Sequence, residues 1–261
     1  MDATGRFKTL VQGPEPAIPL DEIALLIAAH AEPDLDVGNW MRELDEIAGR
    51  CRDASFEGLL AHMTSEGFEG NQIDYYDPRN SYLHAVLARR TGIPITLSVV
   101  MMELGRRLGV GISGVGLPGH FVVRHADDLD AFADPFNGAL LDRDGCRRLV
   151  EVASSGEGDD DWLAPVGTRA IVGRLLANLK GIHLARRDRR ALAWVLELRT
   201  AVPGVPLDEH RELASALASD GRFLDAAVVL DRLADAGRAV GDAQIVEDAE
   251  RGATRLRARL N

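Results

Sequence analysis

The sequence predicts an α+β protein: helices through the first third, a small antiparallel sheet in the middle, and helices again to the end of the 261 residues. Three observations carry this prediction. Apolar residues recur at helical spacing from Asp21 to Leu108. Between Gly111 and Leu141 the pattern breaks into short apolar runs separated by Gly, Pro and Asp turns. Helical spacing then returns after Thr168.

Taken in order, residues 1–18 read as a polar lead-in containing Pro14 and Pro16, with Pro19 just behind. A first helix starts near Asp21, a plausible N-cap, and carries Ile23, Leu26 and Ile27 on one side. A second follows Asp34–Asp36 and includes Trp40, Leu44 and Ile47. A third runs near Ser55–Ser65 with Phe56, Leu59, Leu60 and Met63 together. Asp77-Pro78 is the signal of another helix start, because aspartate caps free N–H groups and proline suits a first turn. This helix turns Leu83, Val86 and Leu87 inward and ends at Thr91-Gly92, where Gly92 can take the left-handed cap and Pro94 blocks continuation. The next, roughly Leu97–Leu108, is apolar on nearly all sides, the mark of a central buried helix, and Gly109 closes it. Gly111–Val115, His120–Arg124 and Ala131–Asp134 read as strands, with a fourth at Ala139–Leu141.

The polar run Ser154-Ser-Gly-Glu-Gly-Asp-Asp-Asp161 reads as a boundary. It separates a first domain over 1–155, helical over 20–70 with its core over 71–150, from a helical domain over 162–261. In the second domain Arg189-Arg-Ala191-Leu-Ala-Trp-Val195 superposes on Leu224-Asp-Ala226-Ala-Val-Val-Leu230. Ala191 and Ala226 are then 35 positions apart, near the ~34-residue period of tetratricopeptide repeats. Two degenerate repeats and a capping helix over Asp242–Leu260 fit this pattern; an ordinary helical bundle fits it as well.

A net charge of −11, with no Lys/Arg-rich block, argues against a nucleic-acid partner. No run approaches ~18 uninterrupted apolar residues, and no signal-peptide core follows Met1, so neither membrane insertion nor export is expected. Cys51 and Cys146 are far apart and form no CxxC motif, which suits a reducing, cytoplasmic setting.

The chemistry concentrates in Gly114-Val-Gly-Leu-Pro-Gly-His120-Phe-Val-Val-Arg124 and Ala131-Phe-Ala-Asp134-Pro-Phe136. If these runs form a hairpin centred on Asp127, His120 and Asp134 face each other across it. Directly paired residues of antiparallel strands have Cβ atoms ~5 Å apart, within reach of an imidazole–carboxylate hydrogen bond. That bond is the part of a catalytic triad that orients a base. A metal site is the competing use of His120, His125, Asp127, Asp128, Asp130 and Asp134. The acids at 127–130 fall where a turn needs solvated residues, and no ligand spacing is regular, so no metal or cofactor is expected.

Asp77-Pro-Arg-Asn-Ser-Tyr-Leu83, Arg89-Arg-Thr-Gly-Ile-Pro-Ile-Thr-Leu-Ser98, the His120 motif and Asp134-Pro-Phe-Asn-Gly138 stand in this order. Together they resemble the SirB-type branch of the transglutaminase-like superfamily. The resemblance covers roughly 20–235. It implies a papain-related α+β core, helical ahead of a small antiparallel sheet and joined to a tetratricopeptide-like tail. It also implies a cysteine at the start of a central helix, followed by histidine and aspartate on successive strands. His120 and Asp134 match the latter two. Counting back from Gly92-Ile-Pro94 places the cysteine near residue 77, where this chain has Asp77, Pro78, Arg79, Asn80 and Ser81. The superfamily's thiol chemistry needs a thiolate activated by a helix N-terminus and an imidazolium, and none is available there.

The expected function is therefore a regulatory or protein-interaction module. Its groove, around Asn80, Ser81, Gly119, His120 and Asp134, binds a peptide or a small amide-bearing ligand, and its tail offers a second partner surface. The competing expectation is an amide or ester hydrolase, or an acyltransferase. There His120 is the base, Asp134 its orienter, and Ser81 or a substrate hydroxyl the nucleophile. Cys51 and Cys146 read as small hydrophobes rather than nucleophiles, Cys146 within a turn.

Overall fold

The computed structural model describes residues 2–153 and 160–260. The chain forms two compact units, residues 1–178 and 179–261, and passes from one to the other within a single helix, Thr168–Arg186. The boundary expected at 154–161 falls largely on residues outside those described.

The first unit opens with a helix that the sequence pattern hides. α1 (Ala3–Val11) is capped by Asp2, whose carboxylate accepts from the Gly5 N–H at 2.7 Å, and it buries only Phe7 and Val11. The prolines that suggest a lead-in act after it, in a single 3₁₀ turn over Glu15–Ala17. α2 (Leu20–Ala28) is buried along almost its whole length and starts at Pro19. Asp21 is not its cap. The Asp21 side chain is 1% exposed and takes bonds from Arg106 at 2.8 Å and Arg107 at 2.7 Å. α3 (Val37–Gly49) and α4 (Phe56–Ser65) begin where their caps predict: Asp36 accepts from Asn39 N–H, and Ser55 from Gly58 N–H. Each cap contributes about 1 kcal/mol.

The next region departs from expectation. Asp77-Pro78 starts only a 3₁₀ turn (Pro78–Asn80), with Asp77 accepting from Arg79 N–H at 3.0 Å. The true helix, α5 (Leu83–Arg89), begins beyond it and ends at Arg90, which takes the left-handed conformation at φ 57°. Thr91–Gly92 is not a cap. It is a short strand, β2, paired in parallel with β1 (Glu69–Gly70) in the register Gly70↔Gly92. Gly92 is required by packing: a Cβ there would lie 2.8 Å from Thr96 Oγ1 and 3.2 Å from both Leu97 Cγ and Val86 Cγ1.

α6 (Pro94–Leu108) is the central buried helix, closed by Gly109 at φ 75°. It leads directly into a four-stranded antiparallel meander: β3 (Ile112–Val115), β4 (Val122–His125), β5 (Phe132–Asp134) and β6 (Ala139–Leu141), in spatial order β3-β4-β5-β6. α7 (Arg143–Ala153) covers it, with Asp142 accepting from Gly145 N–H. Cys146 therefore lies on a helix, not in a turn, and packs with Val115, Leu117, Val122, Phe132, Val150 and Leu163. The first half of α8 (Thr168–Arg186) buries Ile171, Val172 and Leu175.

The second unit contains the end of α8 and four further helices: α9 (Arg189–Ala201), α10 (Asp208–Ser219), α11 (Phe223–Val240) and α12 (Ala243–Arg257). Their shared core includes Leu196, Leu213, Leu217, Ala226 and Val229. Glycines on α11 and α12 let these two helices approach closely. A Cβ on Gly237 would lie 2.9 Å from Ile245, and one on Gly252 would lie 2.8 Å from Leu230.

Candidate functional site

The site forms at the end of the meander where β4 begins and β5 ends. Asp134 is the last residue of β5, and Pro135 behind it favours an extended backbone at 134. The buried carboxylate is held on both oxygens. Oδ1 accepts from the Phe136 N–H at 3.0 Å and the Asn137 N–H at 3.3 Å, a local aspartate turn. Oδ2 accepts from Asn137 Nδ2 at 2.7 Å and from His120 Nε2 at 2.8 Å. Burial pushes the acid up, but the His120 bond and charge, with the Asn137 bonds, outweigh it and hold Asp134 below the usual carboxylate range.

His120 reaches this carboxylate by a route the hairpin argument did not foresee. The observed register pairs Val123 with Ala133 and Arg124 with Phe132, so His120 and Asp134 are not opposite residues. His120 lies two residues before β4, at the end of the turn Leu117–His120, whose His120 N–H donates to Leu117 O at 3.2 Å. Pro118 and Gly119, the latter at φ 69°, occupy the two central positions, the pattern of a type II turn. Gly119 thus sets the turn that aims His120 back over the strand end.

The proton can be placed. An ionised Asp134 only accepts, so Nε2 carries the hydrogen of this bond. In the neutral imidazole Nδ1 is then an acceptor. It makes no hydrogen bond among the described residues, and the side chain keeps 13% exposure. Phe136 stands edge-on to the imidazole at 6.0 Å between ring centres, and Tyr75 stands edge-on to Phe136 at 6.3 Å. Arg174 of α8 closes another side: Nη2 donates to Leu117 O at 3.0 Å and, at 3.4 Å, to His120 O.

The segment 71–82 is brought to this end by backbone contacts. Gly70 N–H donates to Phe136 O at 3.1 Å, Gly70 pairs with Gly92, and Thr96 Oγ1 on α6 donates to Asn80 O at 2.7 Å. Asn80 is wholly buried and holds the loop. Its Nδ2 donates to Asp74 O and Tyr75 O, and its Oδ1 accepts from Asn71 and Arg89. All four of its side-chain hydrogen-bonding positions are therefore taken. Ser81 is 3% exposed and its hydroxyl has no hydrogen-bond partner, so it is not joined to His120. Ser98, in the first half of α6, has a buried, unpaired hydroxyl as well.

The model of the transglutaminase-like superfamily matches residues 26–177, from α2 into α8. The chain belongs to the transglutaminase-like superfamily. A UPF0162 protein of Xylella fastidiosa is 38% identical over 210 residues, covering 72% of this chain and 74% of the relative. A UPF0162 protein of Pseudomonas aeruginosa is 34% identical over 177 residues, covering 64% and 65%. F-box only protein 21 of Homo sapiens is 42% identical over 86 residues, covering 33% of this chain and 14% of that protein. No solved structure matches the chain.

For a member of the transglutaminase-like superfamily the thiols are misplaced. Cys146 is fully buried, and burial, with the nearby charges of Asp142 and Asp134, pushes it up to about 12. At neutral pH it is a thiol and not a nucleophile. Cys51 follows α3 and donates to Asp53 O at 3.2 Å. Neither the 77–81 segment nor the first turns of α6 contains a cysteine. Among the described residues no group of three or more His, Cys, Asp or Glu side chains is placed to hold a metal. In the turn after β4, His125 Nδ1 instead accepts from the Asp127 and Asp128 N–H groups.

Sequence reasoning missed Tyr75, Phe136, Asn137 and Arg174. Asn137 was readable, since an asparagine three residues after an aspartate at a strand end suits a local turn. Arg174 was not, because only tertiary packing brings α8 to the turn before β4.

Proposed function

We propose that this chain is a binding module of the transglutaminase-like superfamily, in which the cleft at His120 holds a peptide or small amide-bearing ligand without thiol chemistry. One observation carries the reading: His120 is fixed at Nε2 by a buried, ionised Asp134 while Nδ1 stays unbonded, and no hydrogen bond joins it to either thiol among the described residues. In the neutral imidazole the unbonded Nδ1 is an acceptor for a ligand amide N–H. The exposed Tyr76 and Ile73 beside Tyr75 give an apolar shelf for its side chains. We also propose a cytoplasmic setting, which the unpaired cysteines Cys51 and Cys146 suit; among the described residues no helix is long and apolar enough to cross a membrane.

Two finer assignments belong to the same proposal: membership of the SirB-type branch, and a tail of two tetratricopeptide-like repeats with α12 as the capping helix, offering a protein-binding surface. In support, α9 and α11, which carry the two superposed segments, begin 34 residues apart.

A hydrolase or acyltransferase is the second reading, favoured by the buried, unpaired hydroxyl of Ser81. The experiment that separates the two titrates the full chain with a pool of random octapeptides, following the Gly119 amide resonance and mass spectra together. Shifts in wild type that vanish in His120→Ala, with peptide masses unchanged, support binding. Cleaved or acylated products that disappear in both His120→Ala and Ser81→Ala move the reading to an enzyme. Unshifted resonances and unchanged masses defeat both.

A further inference from the structure

Arg174 is a half-buried cation beside His120. Its partners are neutral: the carbonyls of Leu117 and His120 and the ring of Phe121, whose centre lies 5.3 Å from the guanidinium carbon. Among the described residues no carboxylate forms an ion pair with it. Burial pulls its pKa down, and among the described residues Tyr75 acts the other way. Two other partly buried arginines of this protein are matched, Arg107 by Asp21 at 2.7 Å and Glu103 at 2.8 Å and Arg199 by Glu209 at 2.7 Å, whereas Arg124 has a buried Nε without a partner. A desolvated charge without a counter-ion is unfavourable, and folded proteins normally pair it.

The position is built around the guanidinium. A Cβ on Gly116 would lie 1.9 Å from Arg174 Nη1, so the cation occupies space that any side chain at 116 would need. Facing it from the 71–77 loop, the Tyr75 hydroxyl has no hydrogen bond among the described residues. Burial raises the Tyr75 pKa, so the hydroxyl stays a donor, and the Arg174 charge acts on it from nearby. A guanidinium bonded only to neutral carbonyls and a phenol hydroxyl with no acceptor thus lie within electrostatic reach of each other, on the side of the His120 carbonyl.

We propose that Arg174 and Tyr75 form an anion subsite beside His120 and that its occupant is a carboxylate of the bound peptide. A planar guanidinium with free N–H groups suits a carboxylate fork, and a single positive charge suits a monoanion better than a phosphate dianion. The inference rests on reading the cleft as a peptide site and adds which peptides it selects. The carboxylate can be a chain terminus or an acidic side chain, and the two are separable.

The test uses the full ¹⁵N-labelled chain and three probes: acetyl-tetraalanine as the free acid, the same peptide as its C-terminal amide, and acetyl-Ala-Asp-Ala-Ala-amide. Binding is read from the His120 ring and Gly119 amide resonances. The free acid is expected to bind at least tenfold more tightly than the amide, and Arg174→Gln to remove that preference. Gly116→Ala, which displaces the guanidinium without removing it, is expected to weaken the preference. If the aspartyl peptide matches the free acid, the subsite holds and reads a side-chain carboxylate. Because Arg174→Gln also breaks the bond to Leu117 O, Tyr75→Phe serves as a second variant, with an expected loss of threefold or more in the preference. Equal affinity for acid and amide, with His120 shifting in both, overturns the anion subsite and leaves the peptide cleft standing. A preference that survives in Arg174→Gln and Tyr75→Phe overturns the subsite too. Binding of none of the probes defeats both the subsite and the cleft reading for such peptides.

Discussion

Two imidazole–carboxylate pairs of the first unit are built in opposite senses. At His120–Asp134 the acid is sealed, at 1% exposure, and the imidazole keeps an unbonded nitrogen. At His84–Glu32 the nitrogen–oxygen distance is similar, 3.1 Å, but the acid is 62% exposed and the imidazole only 6%. The His84 ring stands edge-on to Trp40 and stacks near Tyr82, and its Nδ1 is buried with no partner. A buried acid held by four donors fixes the ring it touches and leaves the other nitrogen available. An exposed acid fixes little, and a sealed ring can offer nothing to a ligand. The same two side-chain types therefore make a candidate site in one place and a packing element in the other. The direction of burial decides which.

Removing the acids is the strongest way to break this comparison. Asp134→Ala strips an acceptor from His120, from two main-chain N–H groups and from the Asn137 amide. Unpaired buried donors of this kind should destabilise the fold by about 3 kcal/mol. Glu32→Ala removes one solvent-screened partner and should change stability by under about 0.5 kcal/mol. Urea midpoints of the two variants measure the difference. Equal losses would mean that the burial argument fails.

The sequence could be read where one residue sets one local feature. Asp36, Ser55 and Gly109 mark real helix ends, and the all-round apolar pattern of Leu97–Leu108 identifies the central helix. It misled where one signal serves two structures. Asp77-Pro78 caps a 3₁₀ turn as readily as an α-helix, and Asp-Gly-Cys resembles a turn although Asp142 and Gly145 open α7. α1 escaped notice because two buried anchors, Phe7 and Val11, make too weak a stripe. For the site, pairing His120 with Asp134 anticipates a bond that exists, but by a cross-strand register that does not. The turn at Pro118-Gly119 supplies the reach instead. Arg174 and Tyr75 depend on α8 and the 71–77 loop converging, which no local pattern encodes.

A smaller effect separates the pairs by pH. The Asp134 pKa is depressed in the folded chain, against about 3.9 when unfolded. Its contribution is fully present above the unfolded value and is lost as pH falls through the folded one. Wild type should therefore lose stability on acidification below pH ~4 more steeply than Asp134→Asn, by about 1 kcal/mol between pH 5 and pH 2. Other depressed acids, such as Asp77, act alike in both proteins, so the difference between the two curves isolates residue 134. Chemical denaturation at several pH values checks it. Parallel curves would show that Asp134 is not held as an anion by His120.

The finest distinction lies in the imidazoles. His84→Phe replaces a sealed ring by one of similar shape and removes the orphaned Nδ1 together with a bond to an exposed acid that water can replace. Deleting a buried polar atom that has no partner is close to neutral or stabilising, so stability should move by less than about 1 kcal/mol. His120→Phe instead takes a donor from a sealed carboxylate and should destabilise by about 1–3 kcal/mol at neutral pH. Thermal and urea unfolding of this pair carry the comparison to single nitrogens. A costly His84→Phe beside a neutral His120→Phe would reverse the two assignments.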